Sequence, residues 1–356
     1  MGSLAGRADV TGCLPVAEDV AWITVDDLSA AGAARRQVGK LANRLGYPAG
    51  RVAEIELATT EVVSNVYKHG GGGTLVLRSV RGASQGLVEI LALDAGRGIA
   101  DLRRAFEDGQ STAGGLGIGL GTVARLADSY DIASGPDRGT VVLARFLPVR
   151  GVDSAPQGIA AGLTRPIEGE DVCGDAYAIR RRPDAPDRLW LMLCDGSGHG
   201  PLAASAAQAA VGAFCRSGNT APEQLIRQIH EELRGSRGAA VAVAELDLAA
   251  GTVRFAGLGN VAAFVVADGR KHGLVSLPGI AGYQAASVRA FDYQLPVGAT
   301  LVLHSDGLTD RWEAGDLDQR PSANPLVSAA SLLRVAGRRR DDAGVLLAAT
   351  PARASR

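Results

Sequence analysis

Leu189-Trp190-Leu191-Met192-Leu193-Cys194-Asp195-Gly196-Ser197-Gly198-His199-Gly200 is an unbroken apolar run that stops at an aspartate and enters a glycine-rich turn. Apolar residues in succession, without alternation, read as a strand covered on both faces. The strand delivers Asp195 to its end, and the glycines after it allow a tight turn. Three other aspartates have similar settings: Asp175 follows Gly174, Asp306 follows the apolar run Thr300 to Leu303, and Asp341 precedes the run Val345 to Ala349. Each alone reads as a strand-end turn residue. Together, carboxylates at strand ends far apart in sequence suit Mg²⁺ or Mn²⁺, hard cations that prefer oxygen ligands. These residues point to a metal-dependent hydrolase.

Around this stretch the pattern is strand-rich. Strands are expected at Gly158–Leu163, Ala176–Arg180, Leu189–Cys194, Ala239–Asp247, Thr252–Gly257, Ala262–Ala267, Gly273–Leu277, Ser287–Gln294, Thr300–His304 and Gly344–Ala349. Amphipathic helices are expected at Leu202–Cys215 and Glu223–Arg234. Two antiparallel sheets with helices packed outside is the economical arrangement.

Gly174-Asp175, Asp195-Gly196-Ser197-Gly198-His199-Gly200, Ser305-Asp306-Gly307-Leu308-Thr309-Asp310 and Asp341-Asp342 resemble the four signatures of SpoIIE- and RsbX-type phosphatases, the bacterial branch of the metal-dependent Ser/Thr phosphatases. The resemblance implies that Asp195 bridges two Mn²⁺ or Mg²⁺ ions and that the Gly196 carbonyl ligates one. Asp175, Asp306 and Asp341 would complete the shell, with a shared water attacking phosphoserine or phosphothreonine. Asp341-Asp342-Ala343-Gly344 departs from the family in lacking a hydroxyl residue after the paired aspartates, so Asp342 is an alternative ligand. His199 reads as a loop-stabilising side chain, His304 as a core residue, and Asp310 as an orderer of the Asp306 loop or a weak third-metal contact. Arg338-Arg339-Arg340 is either a steering patch for phosphoprotein or a solvated charge run.

The first half reads differently. Ala21 to Val25 is a strand; Asp26 or Asp27 then caps a helix running to Leu45, and Pro48 opens a second helix. On that second helix Glu61, Asn65 and His69 recur every four residues and share a face. Alone, that stripe also suits a solvated helix face. Gly70 to Gly73 reads as a mobile connection to strands at Thr74–Val80 and Leu87–Leu93, the latter ending in Asp94-Ala95-Gly96-Arg97-Gly98-Ile99. Gly114-Gly115-Leu116-Gly117-Ile118-Gly119-Leu120-Gly121 then enters a helix expected at Thr122–Ala127, a pattern that favours phosphate at a helix N-terminus. Strands at Ser129–Ser134 and Thr140–Phe146 close the block.

Thr59 to Gly70, Asp94 to Ile99 and Gly115 to Leu120, in this order, resemble the ATP site of the GHKL superfamily, within it the anti-sigma factor and switch kinases of the RsbT and RsbW type. The resemblance implies that Asn65 helps hold the Mg²⁺ of ATP and that Glu61 is the base for the protein hydroxyl being phosphorylated. Asp94 would accept from the adenine amino group, with Gly96 and Gly98 beside it. Gly115, Leu116, Gly117, Ile118 and Gly119 would form the phosphate loop. The fold class expected is α+β in two domains: a GHKL (Bergerat) α/β sandwich over 21–148 and an α-β-β-α metal-dependent phosphatase sandwich over 158–350. A leader over 1–20 and a link over 149–157 complete the chain.

Bulk properties fit this division. The chain has 356 residues, enough for two cores, and a formal net charge of -1, which gives no field for nucleic acid. No apolar stretch approaches the length of a membrane helix, and Met1 to Leu14 lacks the basic and apolar regions of a signal peptide. Cys13, Cys173, Cys194 and Cys215 show neither metal-knuckle spacing nor a disulfide framework; Cys194 and Cys215 read as small buried apolar residues, and a cytoplasmic location is expected.

Families resembling each half act on STAS-domain antagonists in bacterial partner switching. The fusion therefore implies opposing kinase and phosphatase control of a STAS-domain anti-anti-sigma or stressosome-type phosphoprotein, with a sigma factor or switch protein downstream. Two alternatives stand beside it: an N-terminal half that only binds such a partner with ATP in a structural role, or one that senses nucleotide and gates the phosphatase.

Overall fold

The computed structural model describes residues 13, 17–81, 86–102, 119–150, 158–182, 184–218, 220–285, 287–317, 324–338 and 340–350. The chain divides into two compact units, one comprising Ala17–Gly158 with Gly315–Val335, the other Met1–Val16, Ile159–Ala314 and Ala336–Arg356.

The first unit is one sheet backed by helices. Strands β1 (Ala17–Val25), β2 (Gly73–Arg81), β3 (Gly86–Asp94), β4 (Ser129–Ser134) and β5 (Thr140–Phe146) form an antiparallel sheet in the order β1-β2-β3-β5-β4. Helices α1 (Ser29–Arg44), α2 (Ala49–Gly70) and α3 (Gly119–Leu126) share a core with one face of it, where Val38, Ile55, Val62, Val66 and Val123 meet Leu75, Leu77, Ile90 and Phe146. The expected aspartate cap is not at the cap position, which Leu28 takes without a side-chain bond; Asp27, one residue earlier, accepts the Ser29 N–H at 2.6 Å. Tyr47, between the helices, donates to the Phe146 carbonyl at 2.6 Å and accepts the Val88 N–H at 3.0 Å; burial pushes its hydroxyl up to about 12. Arg51 is buried and pairs with Glu54 and Asp128, fixing α2 against the end of β5. The expected mobile glycine connection is not one: Gly71 caps α2 in the left-handed conformation at φ 67°, and Gly73 already belongs to β2.

The second unit is a sandwich of two sheets. One runs β13-β10-β9-β8-β7, with β14 also paired to β10; the other runs β12-β11-β15-β16-β6. The ranges are β6 Ala160–Arg165, β7 Asp175–Arg182, β8 Ala185–Gly196, β9 Ala239–Asp247, β10 Thr252–Leu258, β11 Ala262–Ala267, β12 Arg270–Gly273, β13 Ser276–Leu277, β14 Phe291–Gln294, β15 Thr300–His304 and β16 Ala343–Ala349. All pairings are antiparallel except β10 with β13. Strand β8 explains the apolar run. Leu189, Leu191 and Leu193 enter the core between the sheets with Leu301, Leu303 and Leu346. Trp190, Met192 and Cys194 face the opposite way, packing with Phe214 of α4 (Pro201–Arg216) and Leu225 and Ile229 of α5 (Pro222–Glu232). Each such side chain, removed from water, contributes about 1.5–3 kcal/mol.

Two expected strands come out differently. Gly273–Leu277 splits between β12 and β13, and the long strand Ser287–Gln294 is reduced to β14, because the Val288 carbonyl is taken by the Arg227 guanidinium at 2.9 Å instead of a ladder. Two short helices were not expected, α6 (Ala314–Leu317) and α7 (Pro325–Ala336). The cysteine reading is also corrected: Cys13 and Cys215 form a disulfide, with sulfurs 2.11 Å apart across 202 positions of sequence. Spacing gives no sign of a pair that the fold alone brings together, with Cys13 bridging the backbone of Arg180 in β7. Cys194 is buried as expected. Among the described residues no helix is long and apolar enough to cross a membrane.

Candidate functional site

In the sandwich unit the ladder between β7 and β8 sets Asp175 directly opposite Asp195. Beside it, β15 ends at His304 and β16 begins at Ala343, so the pairing of β15 with β16 brings the Asp306 and Asp341 turns to the same end. Backbone bonds fix these turns. Ser305 N–H donates to the Gly344 carbonyl at 3.0 Å, Gly344 N–H donates to Ser305 Oγ at 2.9 Å, and Gly196 N–H donates to the Gly174 carbonyl at 3.1 Å. Gly307 is required by close approach, since a Cβ there would stand 1.8 Å from the Asp342 carbonyl oxygen. Asp342 uses its two carboxylate oxygens to accept Ile167 N–H at 2.7 Å and Gly174 N–H at 2.9 Å. It thereby holds the chain around Asp175. Asn260, not foreseen from the sequence, donates to Asp306 Oδ2 at 2.6 Å and orients it.

The electrostatics are those of crowded acids. Burial, followed by the charges of Asp342, Asp306 and Asp341, raises Asp175 to about 7. Burial, then Asp175 and Asp306, raises Asp195 to about 9. Asp341 is raised in the same sense, by burial and then by Asp306. Asp175 is 4% exposed; the Ser305 hydroxyl tempers its charge, but neither carboxylate oxygen has a donor in hydrogen-bond geometry.

Among the described residues, no group of three or more His, Cys, Asp or Glu side chains is arranged closely enough to hold a metal ion. The residues nonetheless fit a divalent cation: buried oxygen donors, one of them orphaned, repel one another, and a cation supplies the missing opposite charge. The histidines serve structure, as expected. His199 Nδ1 lies 3.0 Å from Glu170 Oε1. His304 is buried, bonded through Nδ1–H to the Ser305 carbonyl at 2.8 Å, and faces Asp310 Oδ1 at 3.3 Å. Asp310 therefore orders this loop, with Lys271 donating to the Asp310 and Trp312 carbonyls, each at 2.7 Å.

In the other unit, Asp94 ends β3 beside the C-terminus of α2. Its Oδ1 accepts Gly96 N–H at 2.9 Å and Thr140 N–H at 3.1 Å. Burial raises its pKa above the usual carboxylate range, and the Gly96 and Thr140 amides, then Arg334 and His69, temper the rise. Gly96 lies against the backbone of His69 and Gly70, and Gly98, at φ 69°, lies against the Gly135 carbonyl. Asn65 abuts the start of α3, since a Cβ on Gly119 would stand 2.9 Å from Asn65 Oδ1. Its Nδ2 is buried without a hydrogen-bond partner. Glu61 lies one turn earlier on α2, half-buried. Gly115, Leu116, Gly117 and Ile118 lie outside the described residues.

The Histidine kinase-like ATPase domain profile matches residues 24–146, and that of Stage II sporulation protein E (SpoIIE) matches residues 185–350. Serine/threonine-protein kinase RsbT of Bacillus subtilis (strain 168) is 38% identical over 112 residues, 31% of this chain and 84% of that protein. The chain is a fusion of a GHKL kinase-like domain with a SpoIIE/RsbX-type phosphatase domain. Its first half belongs to the family of RsbT. Two solved structures are similar over 53% of this chain. One, from work on the bacterial stressosome as a modular system adapted to control secondary messenger signaling, is 32% identical with TM-score 0.49 over 97% of its own chain. The other, RsbX in complex with magnesium, is 18% identical with TM-score 0.47 over 94% of its own chain. By the two profiles the architecture is the expected one, a GHKL α/β sandwich followed by an α-β-β-α phosphatase sandwich.

Proposed function

We propose that this partner-switching regulator sets the phosphorylation of a Ser or Thr on a STAS-domain protein in both directions, residues 21–148 adding the phosphoryl group and residues 158–350 removing it. The observation that carries the reading is the gathering of Asp175, Asp195, Asp306 and Asp341 at one end of the sandwich with no ion pair to any of them among the described residues.

Asp175, Asp195, the Gly196 carbonyl, Asp306 and Asp341 would hold two Mn²⁺ or Mg²⁺ ions, which supply a water of lowered pKa and charge stabilisation at the phosphoryl oxygens. The chain's own share is positioning. Asn260 orients Asp306, and Asp342 ties the Asp341 turn to Gly174. In the kinase-like unit, Asn65 would hold the Mg²⁺ of ATP, Asp94 the adenine amino group, with Gly96 and Gly98 beside the base, and Gly115 to Gly119 the phosphates. Glu61 is one helical turn from Asn65, placed to take the proton of an attacking hydroxyl. The printed name of RsbT, a serine/threonine-protein kinase, supports transfer.

A second reading, nucleotide gating of the phosphatase, is favoured by one observation. Residues Gly315–Val335, lying in sequence between Asp306 and Asp341, belong to the compact unit of the nucleotide site, and Arg334 is among the charges that act on Asp94.

The test follows labelled ATP phosphate onto STAS proteins encoded nearby. Asp195→Asn should accumulate label that the intact protein removes in Mn²⁺, and Glu61→Gln should transfer none while binding ATP unchanged. Binding without any transfer by Asp195→Asn sinks the kinase half of the proposal and leaves gating. Unimpaired label removal by Asp195→Asn sinks the phosphatase half.

A further inference from the structure

Strand β9 runs beside β8, with Ala239 opposite Gly196 and Ala240 opposite Asp195. The residue that leads into it is Arg237. Gly238 accepts the Ser197 N–H at 3.0 Å, so the segment before β9 is stitched to the turn after Asp195. Gly198 in that turn has φ 88°, and a Cβ placed there would stand 2.8 Å from Arg237 Nη1. The guanidinium therefore lies on the bare face of Gly198, two residues beyond Gly196. It is exposed, and among the described residues it makes no ion pair or hydrogen bond. An exposed arginine lying on the turn that follows Asp195, and paired with no acid among the described residues, has its donors free for another anion.

We propose that Arg237 binds the phosphoryl group of the phosphoprotein substrate, its planar fork donating to two non-bridging oxygens, which stay on phosphorus as water displaces the Ser or Thr oxygen. This rests on the phosphatase reading of the sandwich unit. The chemistry favours arginine over lysine, because two parallel N–H donors match two phosphate oxygens and the charge persists at any working pH. A phosphate monoester also brings negative charge to an acidic site, so a fixed cation on this turn helps it enter. Gly198 makes the placement possible, since any side chain there would displace the guanidinium.

The test compares the full chain with Arg237→Ala and Arg237→Lys, each loaded with Mn²⁺. Calorimetry gives the affinities for Mn²⁺ and for inorganic phosphate, and steady-state hydrolysis of a phosphothreonine peptide gives kcat/KM. Loss of a charge-assisted bond predicts phosphate affinity and kcat/KM falling by about tenfold to a hundredfold in Arg237→Ala, with Arg237→Lys between. Mn²⁺ affinity should stay within about twofold, because no metal ligand changes. Phosphate affinity unchanged in Arg237→Ala overturns the proposal, as does a parallel loss of Mn²⁺ affinity, which would mark a structural role. If the intact chain binds Mn²⁺ and phosphate but hydrolyses nothing, the phosphatase reading fails while the phosphate affinities still decide on Arg237.

Discussion

Removing divalent cations and raising the pH should destabilise the sandwich unit, and Asp195→Asn should cancel much of that effect. Asp195 has an ordinary value of 3.8 and stands at about 9 in the metal-free fold, raised first by burial and then by Asp175 and Asp306. A raised carboxyl pKa means that the folded chain keeps a proton the unfolded chain has lost. Stability from this group is thus complete below about 3.8 and is lost progressively as pH rises toward about 9. Each pH unit in that window costs on the order of 1 kcal/mol per retained proton, so moving from about pH 5 to about pH 8 removes a few kcal/mol through the Asp175–Asp195 pair. Asp175, raised to about 7, steepens the fall over the lower part of the same range. A domain has only about 5–15 kcal/mol in all, so the effect is large. The assay is denaturant unfolding in chelator, followed by the fluorescence of Trp190 and Trp312, both buried in this unit. Asp195→Asn should be less steep, by on the order of 1 kcal/mol per pH unit, and Mn²⁺ should reverse the trend in the intact chain, because ligands must shed protons to bind. Flat or rising metal-free stability over this range, or an Asp195→Asn slope equal to that of the intact chain, would refute the electrostatic account of the site.

Two further outcomes are expected. Asn65→Ala should weaken Mg²⁺-ATP by at least about tenfold while lowering stability by under about 1 kcal/mol, since its Nδ2 has no protein partner to lose; calorimetry and melting check both, and unaltered affinity would remove Asn65 from the site. Without reductant, alkylation of the unfolded chain should modify Cys173 and Cys194 alone. Cys13→Ser should then expose Cys215 and cost about 2–4 kcal/mol, and modification of all the cysteines in the intact chain would disprove the bridge.

The strand that carries Asp195 was legible because burial on both faces leaves a mark in sequence, an apolar run that ends abruptly. Glycine-flanked aspartates and the Glu61-Asn65 spacing were legible for a similar reason, being local patterns. What escaped depends on the third dimension. Nothing near Asn260 announces that its amide will meet Asp306, which lies 46 positions away. Arg237 lacks a local signal too, because its meaning comes from the ladder that lays β9 against β8. That Asp342 would take the amides of Ile167 and Gly174 is equally invisible in sequence, and the cysteine pair needed the fold itself.

The helix α7 bears on how this chain can be taken apart. Its Leu326, Val327, Ala329, Ala330, Leu332 and Leu333 are buried, yet through Val335 the helix belongs to the compact unit that begins at Ala17. A polypeptide stopped at Gly158 would lack one piece of its own compact unit, and a polypeptide begun at Ile159 would carry that piece away from it. Severing the protein at the intervening link should therefore give fragments that clump or bind each other again, and complementation by mixing them is the natural way to study either activity alone.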